Sequence, residues 1–278
     1  MQTAILHNPT TLVNRIPVYF TINQKKARRY ILCLEMVETV LQDFFPQKKI
    51  DNTTRPLFQT LGQVACCIDN HLDDLALDQK EYLQEIFPVF FYSLSNAQDE
   101  AAFSDRIWEL CHQVGTSLYP PSLCTDLFQF YSFCTKHNLV QELKTFSIGV
   151  IQSAITKAKA KDAKEILESL ALEGNAAVTF LLQLLQKENR IHASDKKFYK
   201  LKKYLSQLEK MLNIADDLSD YKKDKSKGTI TLHAKSGYYF SLSSRLLKIF
   251  FSTSITFHFI FLKHFFLFTR RYILSEIK

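Results

Sequence analysis

The sequence predicts an all-α fold, a single antiparallel helical bundle, and three observations carry that prediction. Only six glycines and seven prolines punctuate 278 residues, whereas an all-β chain needs turn residues about every 8–12 positions. Apolar residues recur at helical spacing along most of the chain, and no stretch alternates as a half-buried strand would. A hydrophobic content of 46% is ample for a sizeable core.

The elements follow in order. Residues 1–24 show no strong period and read as an irregular entry segment. From Lys25 to Phe45, Ile31, Leu32, Met36, Val37, Val40, Leu41 and Phe44 fall at helical spacing, and Pro46 ends the run. Asp51 to Thr54 supply N-cap residues ahead of Arg55-Pro56, so a second helix is expected from about Leu57 to Asp78. Further helical periods cover about 80–95, 99–117, 122–136, 139–170, 172–187 and 196–224, with breaks expected at Pro88, at Pro120-Pro121 and at Glu173-Gly174-Asn175. No repeat and no polar linker divides residues 25–237, which read as one helical domain.

The tail, residues 238–278, differs in composition. Nine phenylalanines stand between Phe240 and Phe268, and Glu276 is the segment's one acid. The window Ile249 to Phe268 is long enough to cross a bilayer. Ser252, Thr253, Ser254, Thr256, His258, Lys263 and His264 weigh against insertion, which favours a core helix or a membrane-surface helix. A third reading makes this end foreign to the fold.

A net charge of +7 admits nucleic acid, anionic lipid or a phosphorylated small molecule as partner. Acids interleave with the densest lysines, as in Lys222-Lys223-Asp224-Lys225, which argues against a nucleic-acid binder. Six cysteines form no CxxC pair and no zinc spacing, so they read as small buried apolar residues. With no signal-peptide pattern at the start, a cytoplasmic location is expected, with membrane association through the tail as an option. A homodimer is compatible with everything so far.

Two aspartate clusters carry the functional reading. In Asp69-Asn70-His71-Leu72-Asp73-Asp74, the first and fifth positions lie at i and i+4 on a helix and can grip one hard cation; Asp74 and Asp78 form the alternative pair. In the second cluster Asp216, Asp220 and Asp224 repeat at i, i+4 and i+8, followed by Lys225, Lys227 and Gly228. Three like charges in successive turns near a helix C-terminus oppose both one another and the dipole. Divalent ions and a diphosphate would reverse that penalty.

The run from Asn213 through Asp216-Asp217-Leu218-Ser219-Asp220-Tyr221-Lys222-Lys223-Asp224 to Gly228-Thr229-Ile230-Thr231-Leu232 resembles the second aspartate-rich region of trans-prenyl diphosphate synthases. Squalene and phytoene synthases and class I terpene cyclases share the DxxxDxxxDxxxG spacing. The first cluster resembles the first aspartate-rich motif of the same superfamily, and 147 positions separate Asp69 from Asp216. The resemblance implies two or three Mg²⁺ ions held by Asp69, Asp73, Asp74, Asp216, Asp220 and Asp224. It further implies a prenyl diphosphate substrate met by Lys222, Lys223, Lys225, Lys227 and Arg190, and ionisation to an allylic cation in a water-free, aromatic cavity. The arginine pair and the Gly-Gly-Lys-Arg element of the elongating enzymes are missing, which shifts weight toward a single-substrate reaction over condensation or elongation. A helical interaction protein with solvated acidic faces is the non-catalytic alternative. Gly174-Asn175 resembles the helix break that terpene cyclases place at the active site, and it equally suits a plain helix-to-helix turn.

Overall fold

A computed structural model describes residues 37–46, 68, 72, 75–115, 121–187, 191–192, 196–227 and 238–277, with the last turns of the two long C-terminal helices as backbone. All regular structure among them is helical. The first helix is described over residues 37–44 (α1). It is followed by α2 (Leu77–Leu94), α3 (Glu100–Val114), α4 (Pro121–Lys136), α5 (Val140–Lys159), α6 (Ala163–Lys187), α7 (Lys196–Lys227) and α8 (Tyr238–Ile277). The entry segment 1–24 lies outside the described residues, as do Cys33, Cys66 and Cys67.

Local chemistry accounts for several ends. Asp99 caps α3 by accepting from the N–H of Ala102 at 2.8 Å. Gly115 closes the same helix at φ 78°, in the left-handed region where a side chain would be strained. Pro121 opens α4, where its missing N–H leaves nothing unpaired. The connections at 137–139 and 160–162 are so short that α4, α5 and α6 return beside one another.

Four expected boundaries require correction. Helix α2 starts at Leu77 after a bend at Leu75, so Asp78 belongs to its first turn and not to the end of the helix expected over about 57–78. An acid there is favoured by the N-terminal dipole. Pro88 stands inside α2 without ending it. The ring removes one backbone bond, while Phe87 and Phe91 beside it pack ring on ring at 5.7 Å. The run 139–170 is two helices, because Asp162 Oδ1 accepts from the N–H groups of Lys164 and Glu165 at 2.8 and 2.9 Å and starts α6. Finally, α6 continues through Glu173-Gly174-Asn175 with no break.

Helices α5 and α6 form the centre, with α2 and α4 against α5 and with α7 against α6. The main core joins Phe44, Phe130, Phe180, Leu185, Tyr204, Ile214, Leu242, Ile249 and Phe261, and so runs from α1 into α8. Two smaller apolar clusters hold α2 to α5 and α3 to α4.

Helix α8 is folded back on itself. His258 has φ 39° and ψ −121°, inside what is otherwise continuous helix. In a straight helix Phe250 and Phe265 would be about 22 Å apart at 1.5 Å per residue. Their ring centroids are 5.1 Å apart, and those of Phe250 and Phe261 are 5.2 Å apart. By length and composition Tyr239–Arg270 suffices to cross a membrane, but its two arms pack against each other.

Candidate functional site

Helix α7 presents different chemistry on its different sides. On the side toward α6 stands Glu209, with Asn213 one turn on donating an amide hydrogen bond to Glu209 Oε1. The other carboxylate oxygen, Oε2, is buried with no hydrogen-bond partner. Gly174 on α6 makes this placement feasible, since a Cβ there would overlap the Glu209 carboxylate. Glu173 lies next to Gly174, and the Ser153 hydroxyl on α5 donates to the Ser169 carbonyl at 2.9 Å and lies 3.3 Å from Glu173 Oε2. Burial, reinforced by the Glu173 charge, pushes the Glu209 carboxyl up to about 8, so it is protonated at neutral pH. Sequence reasoning missed this group, because one glutamate in a lysine-rich helix reads as solvated.

The backbone of α7 is helical through the whole second aspartate cluster, as expected. At about 100° per residue, positions 213, 216, 220 and 224 fall within roughly 60° of Glu209 around the helix axis. Asp216, Asp220 and Asp224 therefore continue, by register, the face that meets α6 at Glu209. The lysines divide. Positions 223 and 227 share that face, whereas 222 and 225 lie on the far side of the helix by the same arithmetic. The side chains of these residues lie outside the described residues, as do Asp69, Asp73, Asp74 and Arg190 entirely. Among the described residues no three His, Cys, Asp or Glu side chains converge on a metal position.

The opposite side of α7 carries a second polar group. Tyr204 and His264 are fully buried, and the Tyr204 hydroxyl is 2.7 Å from His264 Nδ1. His264 Nε2 is 2.9 Å from Asp43 Oδ2, and Lys263 Nζ reaches both Asp43 oxygens at 2.7 and 2.8 Å. Burial outweighs the Asp43 charge and lowers the His264 pKa, so the ring is neutral at pH 7. The network then assigns its tautomer: Nε2–H donates to Asp43 and Nδ1 accepts from Tyr204 O–H. Burial also raises the Tyr204 pKa, which keeps the phenol a donor. This chain ties α1, α7 and the second arm of α8 together.

The chain matches no protein family, no curated protein and no solved structure. The chemistry of its own residues is what remains to read. Cys124 and Cys134 are buried, and burial pushes their thiols up to about 11 and about 12. Burial thus keeps both thiols protonated at neutral pH.

Proposed function

We propose that the chain is a Mg²⁺-dependent class I isoprenoid synthase that ionises an allylic prenyl diphosphate and releases diphosphate. The observation that carries the reading is the register of α7. Asp216, Asp220 and Asp224 share one face with a carboxyl group that is itself buried against α6. By register the stripe continues the line of a buried acid, and carboxylates set on one face in successive turns are stabilised by bound cations. Carboxylate oxygens are the hard donors that Mg²⁺ takes.

In this reading Asp216, Asp220 and Asp224 hold one part of the metal set, and Asp69, Asp73 and Asp74 hold the other across the bundle. The bound ions would supply neutralisation of the charge that develops on departing diphosphate. Lys223 and Lys227, which share the aspartate face by register, are the lysines positioned for phosphate oxygens, with Arg190 as a further contact. Lys222 and Lys225, on the far side of α7 by register, are not part of the proposed phosphate contact. Aromatic and aliphatic walls would shield the allylic cation from water.

The test is incubation of the full chain with Mg²⁺ and geranyl, farnesyl or geranylgeranyl diphosphate, reading diphosphate release and hydrocarbon product. Activity is expected to vanish with EDTA and to fall by about a hundredfold or more in Asp220→Asn. Lys222→Gln is expected to leave it near wild type. No turnover with any substrate, together with no magnesium-dependent binding of a diphosphate analogue, overturns the reading.

A further inference from the structure

The folded-back helix α8 buries one side and leaves the other without a protein partner. Its inner side, with Leu242, Ile249 and Phe261, belongs to the main core. Its outer side is apolar. On the first arm Phe240, Leu247, Phe251 and Ile255 are exposed, and at about 100° per residue they fall within roughly 80° of one another. On the second arm Phe259, Leu262 and Phe266 are exposed within roughly 60°. Phe240, Ile255 and Phe259 are 78%, 71% and 86% exposed, and Phe259 stands at the reversal itself. Isolated exposed apolar residues need no explanation, but two such stripes on adjoining arms do.

Charge selects the occupant. From Lys225 to Ser275 the sequence has no aspartate or glutamate, while Arg245, Lys248, Lys263, Arg270 and Arg271 lie on α8. Arg245, Lys248 and Arg270 are exposed, and Lys263 is held by Asp43. A second copy docked on this surface would set cations against cations with no acid to answer them. An acidic protein would answer the cations and leave the phenylalanines wet. An anionic lipid surface answers both, since headgroup phosphates meet the cations and the acyl boundary takes the rings.

The arms do not cross the bilayer. Their inner side is covered by α1 and α7, joined to it through His264, which bonds the partly exposed Asp43 of α1 and the buried Tyr204 of α7, and those helices have no place in hydrocarbon. We propose that the α8 hairpin is a monotopic anchor: its outer stripes sink into one anionic leaflet while its inner side stays docked on the bundle. This stands independently of the catalytic reading.

The test uses the purified full chain and two sets of vesicles, phosphatidylcholine alone and equimolar phosphatidylcholine and phosphatidylglycerol, read by flotation. Binding is expected to the anionic vesicles, to weaken in high salt, and to be stripped by alkaline carbonate. The double variant Phe251→Ser/Phe259→Ser, with helicity checked by circular dichroism, is expected to bind about tenfold or more weakly. Arg245→Gln/Lys248→Gln is expected to lose the preference for anionic lipid and retain its helicity. A second, spectroscopic probe is Phe259→Trp in a Trp108→Phe background, whose emission is expected to shift to the blue on adding anionic vesicles. No binding to anionic vesicles, unchanged emission, or unaltered binding in the serine variant overturns the proposal. Resistance to carbonate would make the hairpin a spanning element, and a dimer dissolved by the serine variant with no vesicle binding would assign the surface to a second copy; either result overturns it.

Discussion

Helices α7 and α8 are neighbours of similar length with opposite surface logic. Helix α7 is rich in lysine and hides a carboxyl group against α6, whereas α8 is rich in phenylalanine and turns many of its rings to the outside. A helix that only had to fill space would do the reverse, with apolar side chains in and charges out. The contrast teaches where this chain departs from the demands of folding alone. One departure lies inside the bundle, the other on its surface.

The largest expected effect concerns the hidden carboxyl of α7. The folded state holds the Glu209 proton up to about pH 8, while the unfolded chain releases it near the ordinary value of 4.5. The folded protein therefore binds more protons across that interval, and its stability falls as pH rises through it, by on the order of 1 kcal/mol per pH unit. Glu209→Gln removes the titration, so its urea midpoint relative to wild type is expected to climb steadily from pH 5 to pH 8. A flat difference would mean that Glu209 is solvated and that α7 does not differ from an ordinary helix.

Next in size is the contact that receives this carboxyl. Gly174→Ala puts a methyl group into the space of the Glu209 carboxylate, whose flexible end must shift, and is expected to lose the roughly 0.5–1 kcal/mol that alanine otherwise gains over glycine inside a helix, read by urea unfolding. Glu209→Ala in the same chain should recover much of that loss, since the two changes share one space. Strict additivity would sever Gly174 from Glu209.

A last effect, of similar size, belongs to α8. His258 holds a backbone conformation that suits the first central position of a type II′ turn, which glycine adopts freely. His258→Gly is expected to stabilise the chain by about 1 kcal/mol, measured by thermal unfolding, whereas His258→Ala brings no such gain. Equal midpoints for both variants would argue that α8 has no reversal there.

Most of the fold was legible in the sequence where capping chemistry is local. Asp99 and Pro121 mark their helix starts in plain view, and the start of α7 falls at the residue its pattern predicts, whereas α3 ends at Val114, capped by Gly115, short of the expected 117. The boundary at 160–162 was also written, as Asp162-Ala163-Lys164-Glu165, the pattern of a capped start. Glu165 there accepts from the Lys161 N–H at 2.6 Å. It was obscured because the surrounding alanines and lysines are all good helix formers. Pro88 and Gly174 misled for the converse reason. Each is a breaker by local preference, and each is overridden by what packs around it.

The reversal at His258 has no local signal, since neither glycine, proline nor asparagine marks it. The buried carboxyl depends on Gly174 and Glu209, which are brought together only by the packing of α6 on α7. Of the candidate site, the helical stripe Asp216, Asp220 and Asp224 was legible, and the distinction among the four lysines follows from the same helix. The grouping with Asp69, Asp73 and Asp74 rests on the resemblance.

The bond between Asp43 and His264 spans 221 positions of chain. Synthesis proceeds at about 5–20 residues per second, so the imidazole that pairs with Asp43 emerges on the order of ten seconds or more after it. During that interval Tyr204, too, is made before its partner. The bundle must therefore wait, with α1 and α7 only partly covered, for the phenylalanine-rich arm that closes it. The fastening of α1 to α8 is thus made only after α8 itself, and until then Asp43 and Tyr204 stand without the partners that the folded bundle gives them.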